Sequence, residues 1–174
     1  MGVAVGDAMD DEVLVLSDDP AEAELGSPWK ILVVDDDADV HATTGFALQG
    51  YVFMGRKVSL SSAYSGREAL EMFNGHELEF DLALIDVVME TPTDGIDTAK
   101  AIRKHLECVQ VPYIILRSGQ PAYARADDLL AMPEINAYLN KAKLSVELLQ
   151  QAISQGLAIT ATARDADGNR TRSE

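Results

Sequence analysis

Residues 30–37 read Lys30-Ile31-Leu32-Val33-Val34-Asp35-Asp36-Asp37: an unbroken apolar run that stops on three carboxylates. A short, uninterrupted apolar run closed by turn-forming acids is the pattern of a strand covered on both faces, because a half-exposed strand would alternate. The pattern returns in Asp81-Leu82-Ala83-Leu84-Ile85-Asp86, in Val111 to Leu116 and in Ile135-Asn136-Ala137-Tyr138-Leu139, with a weaker version in Lys57 to Ala63. Helical segments separate these runs. One covers about 38–50 and ends near Gly50. A second opens at Ser65, a plausible N-cap, turns Ala69, Leu70, Met72 and Phe73 inward and closes at Gly75. Ile96, Ala99, Ile102 and Leu106 recur at helical spacing, a shorter helix is expected from Pro121, and Val146, Leu149, Ile153 and Leu157 form the inner stripe of the last one.

Strands alternating with helices predict an α/β three-layer sandwich: a five-stranded parallel sheet with five helices on its two faces. Right-handed crossovers leave few topologies, of which the flavodoxin-like order 2-1-3-4-5 fits five such units. In sheets of this kind functional groups collect at the carboxyl ends of the strands. Asp35, Asp36, Asp86, Ser118 and Lys141, far apart in the chain, are thereby brought to one edge.

The expected boundaries follow from composition. Of the 174 residues, the first 28 hold eight carboxylates and no Lys or Arg, the pattern of a flexible acidic arm, although Val13-Leu14-Val15-Leu16 offers a segment that can dock. The folded domain is expected over 29–157, followed by a polar tail over 158–174. A net charge of −15 argues against direct nucleic-acid binding, and no apolar run approaches the roughly 20 residues that span a bilayer. The N-terminus lacks the basic and apolar regions of a signal peptide. The single cysteine, Cys108, cannot form an internal disulfide, so a reducing, cytoplasmic setting is expected and Cys108 is read as structural.

Three carboxylates, a hydroxyl and an ammonium at one sheet edge pose an electrostatic problem, since close carboxylates repel and raise one another's pKa. Mg²⁺, which prefers oxygen ligands and keeps several waters, resolves it and leaves positions for phosphate oxygens. An aspartate nucleophile, Mg²⁺, a hydroxyl donor and a lysine suit phosphoryl transfer to a carboxylate, where positioning and charge neutralisation do most of the work.

Taken together, Ile31 to Asp37, Asp81 to Met89, Ile114-Ile115-Leu116-Arg117-Ser118-Gly119 and Ala137-Tyr138-Leu139-Asn140-Lys141 resemble the receiver domains of bacterial two-component systems. The resemblance covers about residues 29–156 and implies a signalling switch, not an enzyme. Asp86 would be the phosphoacceptor. Asp35 and Asp36 would be the acid pair at the Mg²⁺, with Asp36 a direct ligand, Asp35 acting partly through water, and Asp86 and the Val88 carbonyl completing the protein's share. Ser118 and Lys141 would bind phosphoryl oxygens, Gly119 would leave the group room, and Tyr138 would be the aromatic switch. The implied partners are a sensor histidine kinase or a small acyl-phosphate donor, a downstream output protein or domain, and a second copy in a phosphorylation-dependent homodimer. No further cofactor is implied. The wording of 86–91 and 115–121 is similar to receivers at the front of longer regulators, some with cyclic-dinucleotide phosphodiesterase or kinase modules. Stand-alone receiver and piece of a longer regulator both stay open.

Some residues depart from the family pattern. Ala142 stands where Pro is usual after the lysine, the loop from Met89 to Gly95 is one residue longer, and Arg117 occupies a normally apolar strand position and is read as a strand-end surface residue. His41, His76 and His105 share no metal-binding spacing and are read as structural or solvated. Gly50, Gly55, Gly66 and Gly75 are read as turn glycines. Asp37 or Asp39 is the better candidate for a helix cap. Two other functions compete. A haloacid-dehalogenase-type Mg²⁺-dependent phosphatase would use Asp35 as nucleophile, but Asp39 replaces the Thr or Val expected after its second acid. A degenerate receiver serving only as a protein-binding module would have lost the Asp, Ser and Lys that are all present here.

Overall fold

The computed structural model describes residues 26–74, 80–106, 112–119 and 126–170. The elements run β1 (Trp29–Val34), α1 (Ala38–Ala47), β2 (Val52–Phe53), β3 (Arg56–Ala63), α2 (Gly66–Asn74), β4 (Leu82–Asp86), α3 (Asp94–Leu106), β5 (Tyr113–Ser118), α4 (Ala126–Leu130), β6 (Ala137–Asn140), a 3₁₀ turn (Lys141–Lys143) and α5 (Val146–Arg170). Pro121, Gly75, His76, Cys108 and the Val13–Leu16 run lie outside the described residues, as does most of the acidic arm.

The sheet order is β2-β3-β1-β4-β5-β6. Strands β3, β1, β4, β5 and β6 are parallel and reproduce the flavodoxin-like order. The sixth strand, β2, is an addition to the expected five. It pairs antiparallel with β3 through Val52↔Lys57 and Phe53↔Arg56. The connecting residues Met54 and Gly55 both have positive φ, 48° and 69°, as a tight hairpin following the sheet's twist requires. Two residues are too few to leave an alternation, so periodicity alone does not register this strand.

Each strand's two-residue alternation divides the core. Leu32, Val34, Ala83, Ile85, Ile114 and Leu116 face one way, against Ala69 and Phe73 of α2, Ile96, Ala99 and Ile102 of α3 and Leu129 of α4. Ile31, Val33, Leu82, Leu84, Tyr113 and Ile115 face the other, against Ala47 of α1 and Leu149, Ile153 and Leu157 of α5. Helix ends are satisfied locally. Asp37 caps α1 by accepting from Asp39 N. Ser65 Oγ accepts from Glu68 N while the Glu68 carboxylate accepts from Tyr64 N, a variation on the reciprocal capping box. Ser145 Oγ accepts from Leu148 N at the start of α5.

Helix α5 corrects the expectation of a polar tail from 158. It continues to Arg170 because its polar residues have partners at the amino edge of the sheet. Thr160 Oγ1 donates to Asp81 O (3.0 Å), and Arg164 Nη1 stands 3.1 Å from Asp81 Oδ1. Asp81 is itself buried and its Oδ2 accepts from Lys30 N at 2.7 Å. The extension is also alanine-rich, which favours helix. Gly156 lets α5 settle closely: a Cβ there would lie 2.6 Å from Tyr113 Cδ1. Gly50 and Gly55 are turn glycines with positive φ. Gly66 is not: it opens α2, where a Cβ would lie 2.1 Å from Thr98 Oγ1 on α3. No helix among the described residues is long and apolar enough to cross a membrane.

Candidate functional site

The strand alternation carries through to the last residues. Asp35 continues the Ile31, Val33 series, Asp86 the Leu82, Leu84 series and Arg117 the Tyr113, Ile115 series, so all three project toward α1 and α5. Ser118 and Tyr138 belong to the opposite parity, and Tyr138 packs against the core beneath α2, α3 and α4. Ser118 ends β5 beside Asn140 of β6, and Tyr138 pairs with Leu116.

One oxygen from each of Asp35, Asp36 and Asp86 lies within 4.8 Å of the other two. Asp35 and Asp86 are buried, and Asp36 is exposed. Lys141 Nζ bridges the buried pair, 2.8 Å from Asp35 Oδ2 and 3.0 Å from Asp86 Oδ1. Its position comes from the turn after β6, where Asn140 Oδ1 accepts from Ala142 N at 2.9 Å. Proline in place of Ala142 has no N–H to give, so this departure from the family pattern supplies its own cap.

Burial is the main influence on Asp86 and raises its pKa above the ordinary value, with Lys141 pulling the other way. The carboxylates form an all-oxygen donor set with one exposed member through which an ion can enter, which fits a hard divalent cation. Mg²⁺ bound there would neutralise charge on the acids and on an incoming phosphoryl group. Val88 follows in the loop after β4, where Val87 N donates to Arg117 O (2.8 Å) and Gly95 N to Val87 O (3.1 Å).

The structure overturns the surface reading of Arg117. Its side chain is 2% exposed. Nη2 stands 3.4 Å from Asp35 Oδ2 and Nη1 donates to Thr44 Oγ1 of α1 at 3.1 Å. Asp86 is its register partner on β4. Burial pushes the guanidinium pKa down, opposed by Asp35 and Asp86. The charge is tolerated inside because an opposite buried charge awaits it. Sequence reading misses this because the counter-charge sits two strands away. The alternation of β5, projecting residue 117 toward Asp35, was the available signal.

One further contributor went unread. Gly95 opens α3 beneath the phosphoacceptor candidate, where a Cβ would lie 1.8 Å from Asp86 O. His41 Nε2 donates to Asp35 O at 2.8 Å, and its ring lies 4.4 Å from that of Tyr64, a structural role as expected.

Comparison with known proteins agrees with this arrangement. The family model for the response regulator receiver domain matches residues 31–154. A 3′3′-cGAMP-specific phosphodiesterase 2 of Vibrio cholerae serotype O1 is 39% identical over 123 residues, covering 71% of this chain and 23% of that protein. A gliding motility regulatory protein of Myxococcus xanthus is 31% identical over 134 residues, covering 77% and 16%. The chain thus spans less than a quarter of the length of these curated relatives. Among solved structures, a receiver domain protein from Methanospirillum hungatei JF-1 superposes with a TM-score of 0.61 at 20% identity, covering 78% of this chain and 98% of that one. The receiver domain of an HD domain-containing protein from Pseudomonas fluorescens Pf-5 gives a TM-score of 0.64 at 22% identity, covering 79% and 92%. The family model spans well over half of the sequence and the strand order agrees with the solved receiver folds, so the chain belongs to the response regulator receiver domain family of two-component signalling.

Proposed function

We propose that the domain, from residue 29 through helix α5, accepts a phosphoryl group on Asp86 in a Mg²⁺-dependent reaction and transmits the event by a change of shape. The observation that carries this reading is Lys141 Nζ held 3.0 Å from Asp86 Oδ1 beside an acidic cluster open at Asp36. An Asp86 carboxylate oxygen attacks phosphorus. The bond from phosphorus to the donor breaks, and its electron pair leaves with the imidazole of a sensor histidine kinase or the carboxylate of a small acyl phosphate. Asp36, Asp86 and the Val88 carbonyl would hold the ion that neutralises the charge, with Asp35 reaching it partly through water. Lys141 pairs with one phosphoryl oxygen, the Ser118 hydroxyl donates to another, and Gly119 leaves space. Ser118 and Tyr138 share a face of the sheet, so movement of one opens room for the other. The altered surface is the β6, α4 and α5 side, where a downstream output or a second copy docks.

The identity with the Vibrio cholerae enzyme favours a cyclic-dinucleotide phosphodiesterase as the class of output. The phosphatase reading, with Asp35 as nucleophile, is disfavoured. Asp35 Oδ2 is engaged by Lys141 and Arg117, and Oδ1 accepts from Asp37 N. The deciding experiment is labelling with a small acyl phosphate and Mg²⁺. Asp86→Asn should abolish base-labile, hydroxylamine-sensitive label. Label that survives there and vanishes in Asp35→Asn reverses the assignment.

A further inference from the structure

Arg117 is a buried cation at a site otherwise built to attract one. Its guanidinium crosses β4, where Asp86 is its register partner, to reach Asp35 Oδ2, the oxygen that Lys141 also holds. Thr44 anchors the far nitrogen to α1. Asp35 Oδ1 accepts the Asp37 amide, so both oxygens of Asp35 have donors before any ion arrives. Asp36 is exposed, and Asp86 Oδ1 is engaged by Lys141 alone of the two cations. We infer that Arg117 is an internal counter-charge that competes with Mg²⁺ for Asp35, so that the ion is carried by Asp36 and Asp86 and binds more weakly than the three carboxylates alone would allow.

The inference rests on the proposed Mg²⁺ site and assigns a role to a residue that the family pattern makes apolar. It also accounts for how Lys141 can be released. Once Lys141 turns to a phosphoryl oxygen, Asp35 keeps Arg117 and is not left as an unpaired buried charge, which is costly. Arg117 is a positioning residue: it acts on the reacting groups through Asp35 and touches neither phosphorus nor the attacking oxygen.

The sign of the predicted effect separates this role from a structural one. Replacing a residue that merely supports the fold leaves Mg²⁺ affinity unchanged or lowers it. Replacing Arg117 with a neutral side chain should raise affinity by about tenfold or more, since one unit charge lost near a divalent ion is worth about tenfold even at a water-like dielectric. The experiment is a Mg²⁺ titration of the full chain, read from the amide shifts of residues 35–37 and 86–89. Arg117→Met is compared with wild type, alongside Arg117→Gln, which retains a donor toward Asp35 and Thr44 should Met impair folding. Arg117→Lys, keeping the charge, should stay within about threefold of wild type. Unchanged or weakened Mg²⁺ binding in folded Arg117→Gln or Arg117→Met overturns the inference while leaving the site intact. Wild-type shifts confined to other residues overturn the site itself, and the inference with it.

Discussion

Gly95 lies directly under the backbone of Asp86. A Cβ on Gly95 would meet the Asp86 carbonyl oxygen at 1.8 Å, the Asp86 carbonyl carbon at 2.7 Å and Val87 Cα at 2.8 Å. These are backbone atoms at the end of a central strand, and they cannot yield as a flexible side chain would. The first turn of α3 is therefore pressed against the residue on which the proposed chemistry depends.

Gly95→Ala should accordingly destabilise the domain by about 1–3 kcal/mol, the usual range for overpacking, seen as a lower urea midpoint with unchanged slope. Gly119→Ala is the contrast, since its nearest neighbour would be Lys141 Cβ at 4.0 Å. It should leave the midpoint within about 0.5 kcal/mol of wild type. Equal losses at the two glycines would show that the close approach at Gly95 carries no energetic weight.

The raised pKa of Asp86 gives stability a pH dependence. Burial disfavours the anion despite the pull of Lys141. An acid raised in the folded state favours folding below the ordinary Asp value of about 3.9, and that contribution is lost as pH rises through the raised folded value. Asp86→Asn has no such anion, so in Mg²⁺-free buffer its stability should gain on wild type as pH increases from about 4 toward neutrality. Chemical denaturation of both proteins across that interval reads the difference. A difference independent of pH refutes the account.

At the other end of the sheet, Asp81 joins β1, β4 and α5. Asp81→Ala strands the Lys30 amide and removes the Arg164 partner, at an expected cost of about 1–3 kcal/mol. Amide exchange should accelerate over 158–166 before it does over 146–157. Arg164→Ala alone removes a partly exposed ion pair and should cost less than about 1 kcal/mol.

Trp29 is the chain's one tryptophan and sits at the start of β1, with the Arg56 guanidinium carbon 3.6 Å from its ring centroid and Nε1 donating to Phe53 O. Asp35 is six residues on, or about 20 Å along an extended strand. Trp29 emission should thus be indifferent to Mg²⁺ while responding to Arg56→Ala, which removes a cation–π contact of about 0.5–2 kcal/mol. A Mg²⁺-dependent change in emission would place the ion elsewhere.

The parallel part of the sheet was legible because apolar runs ending in acids have few other readings. The same rule gathers Asp35, Asp36, Asp86 and Lys141 at one edge, where the structure has them. What escaped depends on partners distant in sequence. Arg117 reads as a surface residue until Asp35 is seen across two strands, and Thr160 reads as tail until it meets the carbonyl of Asp81. Strand β2 escaped for a different reason. Met54 is an unusual residue for positive φ, so the hairpin lacked the Asn-Gly or Asp-Gly signature that announces such a turn.

That hairpin has a bearing on how the molecule keeps company with its own kind. A sheet margin with unpaired amides and carbonyls is a template on which neighbouring chains can stack into aggregates. Here Val52 and Phe53 cover only Lys57 and Arg56 of β3, while Val58 to Ala63 pair with β1 on their inner side and with no described strand on the outer one, leaving roughly 20 Å of open ladder. The hairpin therefore shields the first two residues of the margin and leaves the rest as backbone to which a further strand can be added.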